Sequence, residues 1–394
     1  MRRRLLFLAH RVPYPPDKGD KIRAWHMLDH LARGWDVDLG CLVDDPADLE
    51  HLPMLRARCA QVECHATGGA ARALLRWRPG RPLTLGWFHA PALWDFVTQG
   101  LAARRWDAAV AYSAAMAPYL MQPDGTGLRR VLDLVDVDST KWGSYAEAAA
   151  PPMRQIWARE ARTLRAFERA AALAFDCTLL VSRAEAAHFA HLAPESDARI
   201  DWVDNGVDLA RFDPALPFAD PFAGGPAIVF TGTMDYRPNI EAVGWFARQV
   251  MPLLRAAIPA ADFHIVGARP TPAVRALARL PGVQVTGSVA DTRPYLAHAA
   301  VAVAPLRIAR GVQNKVLEAM AMARPVIVSP EAMEGLNAQP GREILVASGA
   351  RAMAETVLGV LRGAHPDLGA AGRAAVMRGH DWPVTLRRLD AALA

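Results

Sequence analysis

Short apolar runs alternate with helical repeats from one end of the chain to the other. "RLLFLAH" reads as a buried strand. The turn-rich "RVPYPPDKGD" follows, then a helix in which Ile22, Trp25, Leu28 and Leu31 recur at helical spacing until Gly34 stops it. "WDVDLGCLV", "DAAVAY", "RRVLDLVDVD" and "CTLLVS" read as further strands. The stretch "ALPFADPFAGGP" is dense in Pro and Gly and has no period, so it predicts an interdomain linker over 208–225. The rhythm then restarts with the strands "AIVFTGTM", "DFHIVGA", "VQVTGSV", "VAVAPLR" and "RPVIVS". Between them lie helices that include "NIEAVGWFARQVMPLLRAAI" and "KVLEAMAMA". This alternation predicts an α/β protein with two Rossmann-like, doubly wound domains, 1–207 and 226–376. Tandem domains of this kind normally bind a ligand in the cleft between them, at the carboxyl ends of the strands.

Length and composition sharpen this picture in three places. At 394 residues, 52% of them hydrophobic, the chain has core material for two or three domains. The apolar run Leu5 to Ala9 is too short for a signal peptide, and Asp176 interrupts "AALAFDCTLLV". With no stretch near the roughly 20 apolar residues of a membrane span, the expected location is cytoplasmic. Cys59, Cys64 and His65 cluster without zinc spacing, so these cysteines, with Cys41 and Cys177, read as free thiols and neither metal nor cofactor is expected.

The net charge of +5 suits an anionic partner. One basic segment mixes Arg72, Arg76, Arg78 and Arg81 with Trp77, Trp87 and Phe88. Another sets Arg162, Arg165 and Arg169 on one helical face. A solvated face with a basic loop explains both segments, and so does docking on anionic lipid headgroups at the inner membrane surface. No nucleic-acid motif accompanies the charge.

The most informative stretch is "ARGVQNKVLEAMAMARPVIVSP". Its helix is apolar nearly all round yet carries Glu318, and a carboxylate buried bare costs several kcal/mol. With Asn314 as N-cap, Lys315 falls in the first helical position and Glu318 in the first full turn. A helix N-terminus attracts anions, and Arg310, Gly311 and Lys315 would reinforce this one. A phosphate here and a hydroxyl-bearing group on Glu318 together describe a nucleoside diphosphate with its ribose. The plainer alternative is an i, i+3 pair between Lys315 and Glu318. Gly19, with Lys18, Lys21 and Arg23, offers a second anion contact, although an Asp20 N-cap explains that loop almost as well. Neither G-x-G-x-x-G nor a P-loop is present.

"GVQNKVLEAMAMARPVIVS", "WVDNGVDLARFDP" and "VFTGTMDYRPN" together resemble the retaining glycosyltransferases of family 4, which have the GT-B fold. The resemblance runs the whole length, and "MRGHDWPVTLRRLDAAL" looks like the family's final helices, here 377–394, that return to the N-terminal domain. "RVPYPPDKGDKIRAW", "LVDVDSTKW" and "ARGVQNKVLEAMA" are most similar to sugar transferases associated with PEP-CTERM/exosortase exopolysaccharide loci.

The resemblance implies transfer of a sugar from a UDP- or GDP-type donor to a saccharide or lipid-linked saccharide, with retention and without an obligatory metal. Glu318 matches the second acid of the family's E-x7-E motif, which binds the donor ribose. Gly19, Gly232, Arg237, Gly311, Val312, Gln313, Asn314 and Lys315 fall at donor-binding positions. Asp136 lies near the position of a family histidine that faces the reacting sugar. Asp20, Lys21, Arg23 and Asp138 are the expected acceptor contacts, although a helix cap and a solvated acid also account for Asp136 and Asp138.

There are three departures from the family pattern. Arg310 replaces the first acid of E-x7-E, Thr233 and Asn239 replace a cationic pair, and Ala323 replaces a glycine. Asp136, Arg310, Lys315 and Glu318 are the candidate catalytic residues. An inactive nucleotide-sugar-binding module and a nucleotide-sugar epimerase are the alternatives.

Overall fold

The computed structural model describes residues 2–69, 73, 76, 78–123, 127–308 and 312–394. The chain divides into two compact units, Met1–Asp204 with Leu386–Ala394, and Asn205–Thr385.

The first unit is built on a seven-stranded sheet in the order β3-β2-β1-β4-β5-β6-β7. Its strands are β1 (Arg4–Ala9), β2 (Asp36–Val43), β3 (Gln61–Ala66), β4 (Ala108–Tyr112), β5 (Arg129–Val135), β6 (Cys177–Leu180) and β7 (Ile200–Trp202). The second unit has six strands in the order β10-β9-β8-β11-β12-β13. They are β8 (Ala227–Thr231), β9 (Asp262–Val266), β10 (Val283–Gly287), β11 (Val301–Ala304), β12 (Val326–Val328) and β13 (Leu345–Val346). Every recorded strand pairing is parallel. Parallel strands are covered on both faces, which is why β1, β4 and β8 are runs of apolar residues rather than alternating ones. In each sheet the order reverses once, between β1 and β4 and between β8 and β11. Open α/β sheets bind ligands at the carboxyl ends of strands flanking such a reversal.

The stretch 208–225, expected as a linker, packs as part of the second unit. Phe212 lies in that unit's core, with Phe218 and Phe222 packed against it, and the Phe222 ring sits 4.4 Å from His264. Its aromatic residues have found apolar surface to cover, so the boundary moves forward to Asp204. The C-terminal segment also divides. Leu368–Gly379 and Trp382–Thr385 belong to the second unit, whereas the helix Arg387–Leu393 belongs to the first. There Ala392 O accepts from Arg129 Nε at 2.9 Å, and Asp390 pairs with His30 at 2.9 Å. The long predicted helix after β8 is broken by a π-helical turn at Phe246–Val250, just before Pro252, whose missing N–H cannot continue the regular ladder.

Candidate active site

In the second unit the carboxyl edge of the sheet is shaped by two glycines. Gly232, directly after β8, has φ +153, and Gly267, after β9, has φ +148. A Cβ on Gly267 would lie 1.8 Å from Gly232 O, so the two backbones can touch only because Gly267 carries no side chain. A Cβ on Gly232 would lie 2.8 Å from Asn239 Nδ2 and 3.4 Å from Lys315 Nζ. Backbone, amide and ammonium therefore converge on one point.

Lys315 stands on the helix Asn314–Ala321. Gln313, not Asn314, is the N-cap, which places Asn314 first, Lys315 second and Glu318 fifth in the helix. Asn314 is diverted from capping because its Oδ1 accepts from Asn205 Nδ2 at 3.2 Å. Lys315 Nζ donates to Asn239 Oδ1 at 2.5 Å and lies 4.5 Å from the centre of the Phe230 ring. Asn239 is itself fixed, donating from Nδ2 to Thr233 O at 2.8 Å. Lys315 is thus aimed at the glycine edge, and no ion pair to Glu318 forms within 4.0 Å among the described residues.

Both groups are half-buried. Burial pushes the Lys315 ammonium down to about 7, with Glu318 partly opposing. Burial pushes the Glu318 carboxyl up to about 7 against the opposing charges of Arg211 and Lys315. Neither charge is well compensated, and a ligand bringing an anion to Lys315 and hydroxyl groups to Glu318 would compensate both.

The other expected donor contacts behave differently. Arg237 pairs with Glu241 at 2.8 Å on its own helix. The Val312 side chain is 7% exposed and packs in the core. Arg310 and Gly311 lie outside the described residues.

In the first unit His10 directly follows β1, stacks on Tyr112 with centroids 5.7 Å apart and meets Phe88 edge-on at 5.5 Å. Asp20 lies 3.5 Å from His10 and 2.7 Å from Arg11. Burial pushes the Asp20 carboxyl up, but hydrogen bonds and charge from His10 and Arg11 outweigh it and hold the group well below the usual carboxylate range. Asp20 is not a cap. Lys18 holds that position, and Gly19 opens the helix Gly19–Gly34.

Two expected acceptor contacts are already taken. Lys21 is 2% exposed, with both Asp48 carboxylate oxygens at 2.7 Å. Arg23 is fully buried, bound to Asp133 at 2.8 Å and to Val203 O at 2.6 Å. Two positions apart, they leave the helix on different faces, yet each is buried and each meets its own carboxylate, Asp48 or Asp133, as a buried cation must.

At the ends of β4 and β5 two non-glycine residues adopt left-handed backbone, Ser113 with φ +79 and Val135 with φ +67. Such strain costs about 1–3 kcal/mol per residue and clusters at functional sites. Val135 turns the chain so that Asp136 follows at the strand end, half-buried. Burial, then the neighbouring Glu185 and Asp138 carboxylates, push Asp136 up to about 7. Asp138 opens the helix Asp138–Glu147, with Lys141 Nζ at 3.8 Å.

The sequence reading missed His10 and Tyr112, although each ends or directly follows an apolar strand beside the sheet reversal. It listed Asn239 only as a lost cation, whereas Asn239 is the residue that aims Lys315.

Two Rossmann-like α/β domains in one chain, each with its charged groups at the strand edge, are the architecture of GT-B glycosyltransferases. Residues 225–363, the part of the chain that carries Gly232, Lys315 and Glu318, match the family model of glycosyl transferases group 1. No curated protein matches the sequence.

Among solved structures, the chain is similar to a sucrose-phosphate synthase from Thermosynechococcus elongatus. That match has a TM-score of 0.71 and 20% identity, covering 99% of this chain and 98% of that one. HepE of Anabaena, in complex with UDP and glucose, matches with a TM-score of 0.69 and 14% identity over 99% of each chain. WaaG, a glycosyltransferase involved in lipopolysaccharide biosynthesis, matches with a TM-score of 0.67 and 14% identity, covering 98% of this chain and 99% of that one.

Proposed function

We propose that this chain transfers a sugar from a nucleoside diphosphate sugar, of UDP or GDP type, to a hydroxyl of a saccharide or lipid-linked saccharide. The observation that carries this reading is the convergence of Gly232, Asn239 and Lys315 at one strand edge, with Glu318 three residues beyond Lys315 on the same helix. Glycine lets backbone approach the diphosphate, Lys315 neutralises it, and Glu318 accepts hydrogen bonds from the ribose hydroxyls. The group 1 family model spans these residues, and HepE, similar in fold, was solved with UDP and glucose.

As the bond from the anomeric carbon to the diphosphate breaks, negative charge grows on the leaving oxygens. A fixed ammonium at a helix start lowers the energy of that charge more than that of the ground state, which is what accelerates the reaction. Arg307, on the exposed loop ahead of the helix, and Arg310 are further cations for the same charge. Transfer proceeds with retention and without a metal, the acceptor hydroxyl attacking from the face the diphosphate leaves and passing its proton to a leaving phosphate oxygen. Asp136 and Asp138, on the first unit, hold the acceptor or the reacting sugar. Lys21 and Arg23 drop out of that role.

The pathway is the assembly of an exopolysaccharide or other cell-surface polysaccharide, at the cytoplasmic face of a bacterial inner membrane. No described helix is long and apolar enough to cross a membrane. Peripheral attachment is supported by the exposed Arg162 and Arg165 and by the exposed Ile156 on the same helix. Trp157 of that helix clusters with Tyr145 at 5.9 Å and Trp142 at 6.4 Å.

The deciding experiment is a screen of UDP- and GDP-sugars with saccharide acceptors, read by nucleotide release and by NMR of the anomeric proton. Acceptor-dependent release with retained configuration, unchanged by a chelator, is the expected result. Turnover without acceptor would mean an epimerase or hydrolase. Nucleotide binding without turnover under any condition would leave a binding module.

A further inference from the structure

Outside the strand edges the first unit holds a cavity of about 420 Å3 lined by Arg76, Arg81, His89, Pro91, Trp94 and Asp95. This lies within the roughly 300–1,000 Å3 of small-molecule sites. We propose that it binds a sugar ring bearing a phosphate, the phosphate on Arg76 and Arg81, the ring face on Trp94 and a hydroxyl on Asp95. This deepens the transferase reading by making the cavity an acceptor subsite, and it rests on that reading only for the word acceptor.

The aromatic wall is rigid. Trp94 lies 5.7 Å from Tyr119 and 5.6 Å from His89. The Tyr119 hydroxyl donates to Phe88 O at 2.9 Å and accepts from Ala90 N at 2.8 Å. Phe88, one residue before His89, is the ring that meets His10 edge-on, so the cavity adjoins the strand-edge cluster of the same unit.

The Arg81 side of the cavity is held through its backbone. Glu160, 3% exposed, accepts from Leu83 N at 2.8 Å and Thr84 N at 2.9 Å. Arg159 donates to Arg78 O at 3.1 Å and to Arg81 O at 3.0 Å. These contacts clamp the backbone of 78–84 to the long helix Met153–Ala174. The guanidinium groups of Arg76 and Arg81, by contrast, have no hydrogen-bond or carboxylate partner among the described residues. Burial, with the charges of Arg76 and Arg78, pushes the Arg81 pKa down. Two cations that no carboxylate pairs with are what a phosphate relieves, and two guanidinium groups offer it paired N–H donors.

Asp95 and Trp94 select the rest of the ligand. A bare lipid headgroup or inorganic phosphate has no use for the exposed carboxylate of Asp95, which repels it. A sugar donates hydroxyl hydrogens to that carboxylate and lays its C–H face on the indole. The phosphorylated sugar is either free or joined through its phosphate to a lipid carrier.

The test is calorimetric titration of the full chain, with UDP present in excess to occupy the donor edge. The probes are α-glucose 1-phosphate, its farnesyl phosphodiester, glucose, inorganic phosphate and phosphatidylglycerol vesicles. We expect the two sugar phosphates to bind at least about tenfold more tightly than phosphate or glucose, the tighter of the pair naming the source. Arg81→Ala and Trp94→Ala should each weaken them about tenfold or more, and Trp94→Phe should restore most of the loss. Asp95→Ala should weaken the sugar phosphates but not inorganic phosphate.

Sugar-phosphate binding indifferent to Arg81→Ala and Trp94→Ala, or no stronger than phosphate, overturns the proposal. So does Arg81-dependent binding of phosphatidylglycerol vesicles alone, which would make the cavity a headgroup contact. UDP affinity, measured separately, keeps the two readings apart: its absence defeats the donor site, whereas its presence without sugar-phosphate binding defeats only the subsite.

Discussion

Replacing Lys315 by Met should make the empty protein more stable while removing its affinity for nucleotide. Burial lowers the ammonium from its ordinary 10.5 to about 7. Held charged below pH 7, such a group destabilises the fold by at most about 5 kcal/mol, at about 1.4 kcal/mol per pH unit. Three effects reduce the gain from removing it. The group is half-buried, so water screens part of the cost; its hydrogen bond to Asn239 is worth about 1 kcal/mol; and Glu318 loses a neighbouring positive charge. Met fills the space of the lysine stem, and a net stabilisation of about 1–2 kcal/mol remains. At roughly 2–4 °C per kcal/mol for a domain of this size, the transition that UDP shifts should rise by about 2–8 °C in the variant without ligand.

The parent protein should show the corresponding pH dependence. Because the folded pKa of Lys315 lies below its unfolded value, the unfolded chain holds the extra proton between about 7 and 10.5, and this residue's contribution to stability rises with pH across that window. Glu318 acts in the opposite sense. Its folded pKa is raised from 4.5 to about 7, so its contribution is fully present below 4.5 and is lost as pH rises through 7. The two together put the least favourable point near neutrality, where a diphosphate on Lys315 relieves it. UDP binding near pH 8 should therefore take up protons, which calorimetry in two buffers of different ionisation enthalpy measures directly, and Lys315→Met should abolish the uptake. A variant that is less stable than the parent at pH 6.5 without ligand, or that keeps the parent's UDP affinity, refutes this account of Lys315.

Glu318→Ala should fold normally and lose the thermal protection by UDP, which for the parent is about 2.7 kcal/mol at 100 times Kd; unchanged protection would remove Glu318 from the donor site. Lys21→Ala leaves Asp48 buried without its partner and should cost about 3–5 kcal/mol by urea denaturation, and a loss under 1 kcal/mol would mean that the pair is already hydrated. Ala323, just past the helix Asn314–Ala321, has φ +53, so Ala323→Gly should stabilise by about 1 kcal/mol; a destabilised variant would show that the alanine is not strained there. Asp136→Asn removes a carboxyl held near 7, and should raise stability more at pH 8 than at pH 4, since the raised pKa favours the folded state only while the group keeps its proton. Equal effects at the two pH values would show that Asp136 ionises as an ordinary surface acid.

Most strands were legible because a parallel strand covered on both faces leaves an uninterrupted apolar run, as in "LLFLA" and "AIVFT". β3 was not read, since its residues are only half-buried and include Glu63 and His65. β7 and β13 are three and two residues long, too short for any period to show. Glu318 stood out because it is an acid among positions that are otherwise apolar from Val316 to Ala321. The helix frame was set one residue late because the side chain that would have capped it, Asn314, is drawn to Asn205, 109 positions away.

What the sequence cannot reveal is which cation already has its anion. Lys21 and Arg23 look, in "DKGDKIRAW", as available as Lys315 does in "QNKVLE". The carboxylates that neutralise them, Asp48 and Asp133, lie 27 and 110 positions away, and only the fold brings them together. Asn239, which read as a missing charge, is separated from Lys315 by 76 positions and supplies an amide oxygen instead of a carboxylate. An amide orients an ammonium without neutralising it, so the charge stays in place for a ligand. The same distinction separates Arg81 from Arg169, which sits 2.7 Å from Glu195. A fold that fixes a cation and withholds its counter-charge leaves that charge for a ligand to meet, and in the second unit Lys315 is the cation held in this way.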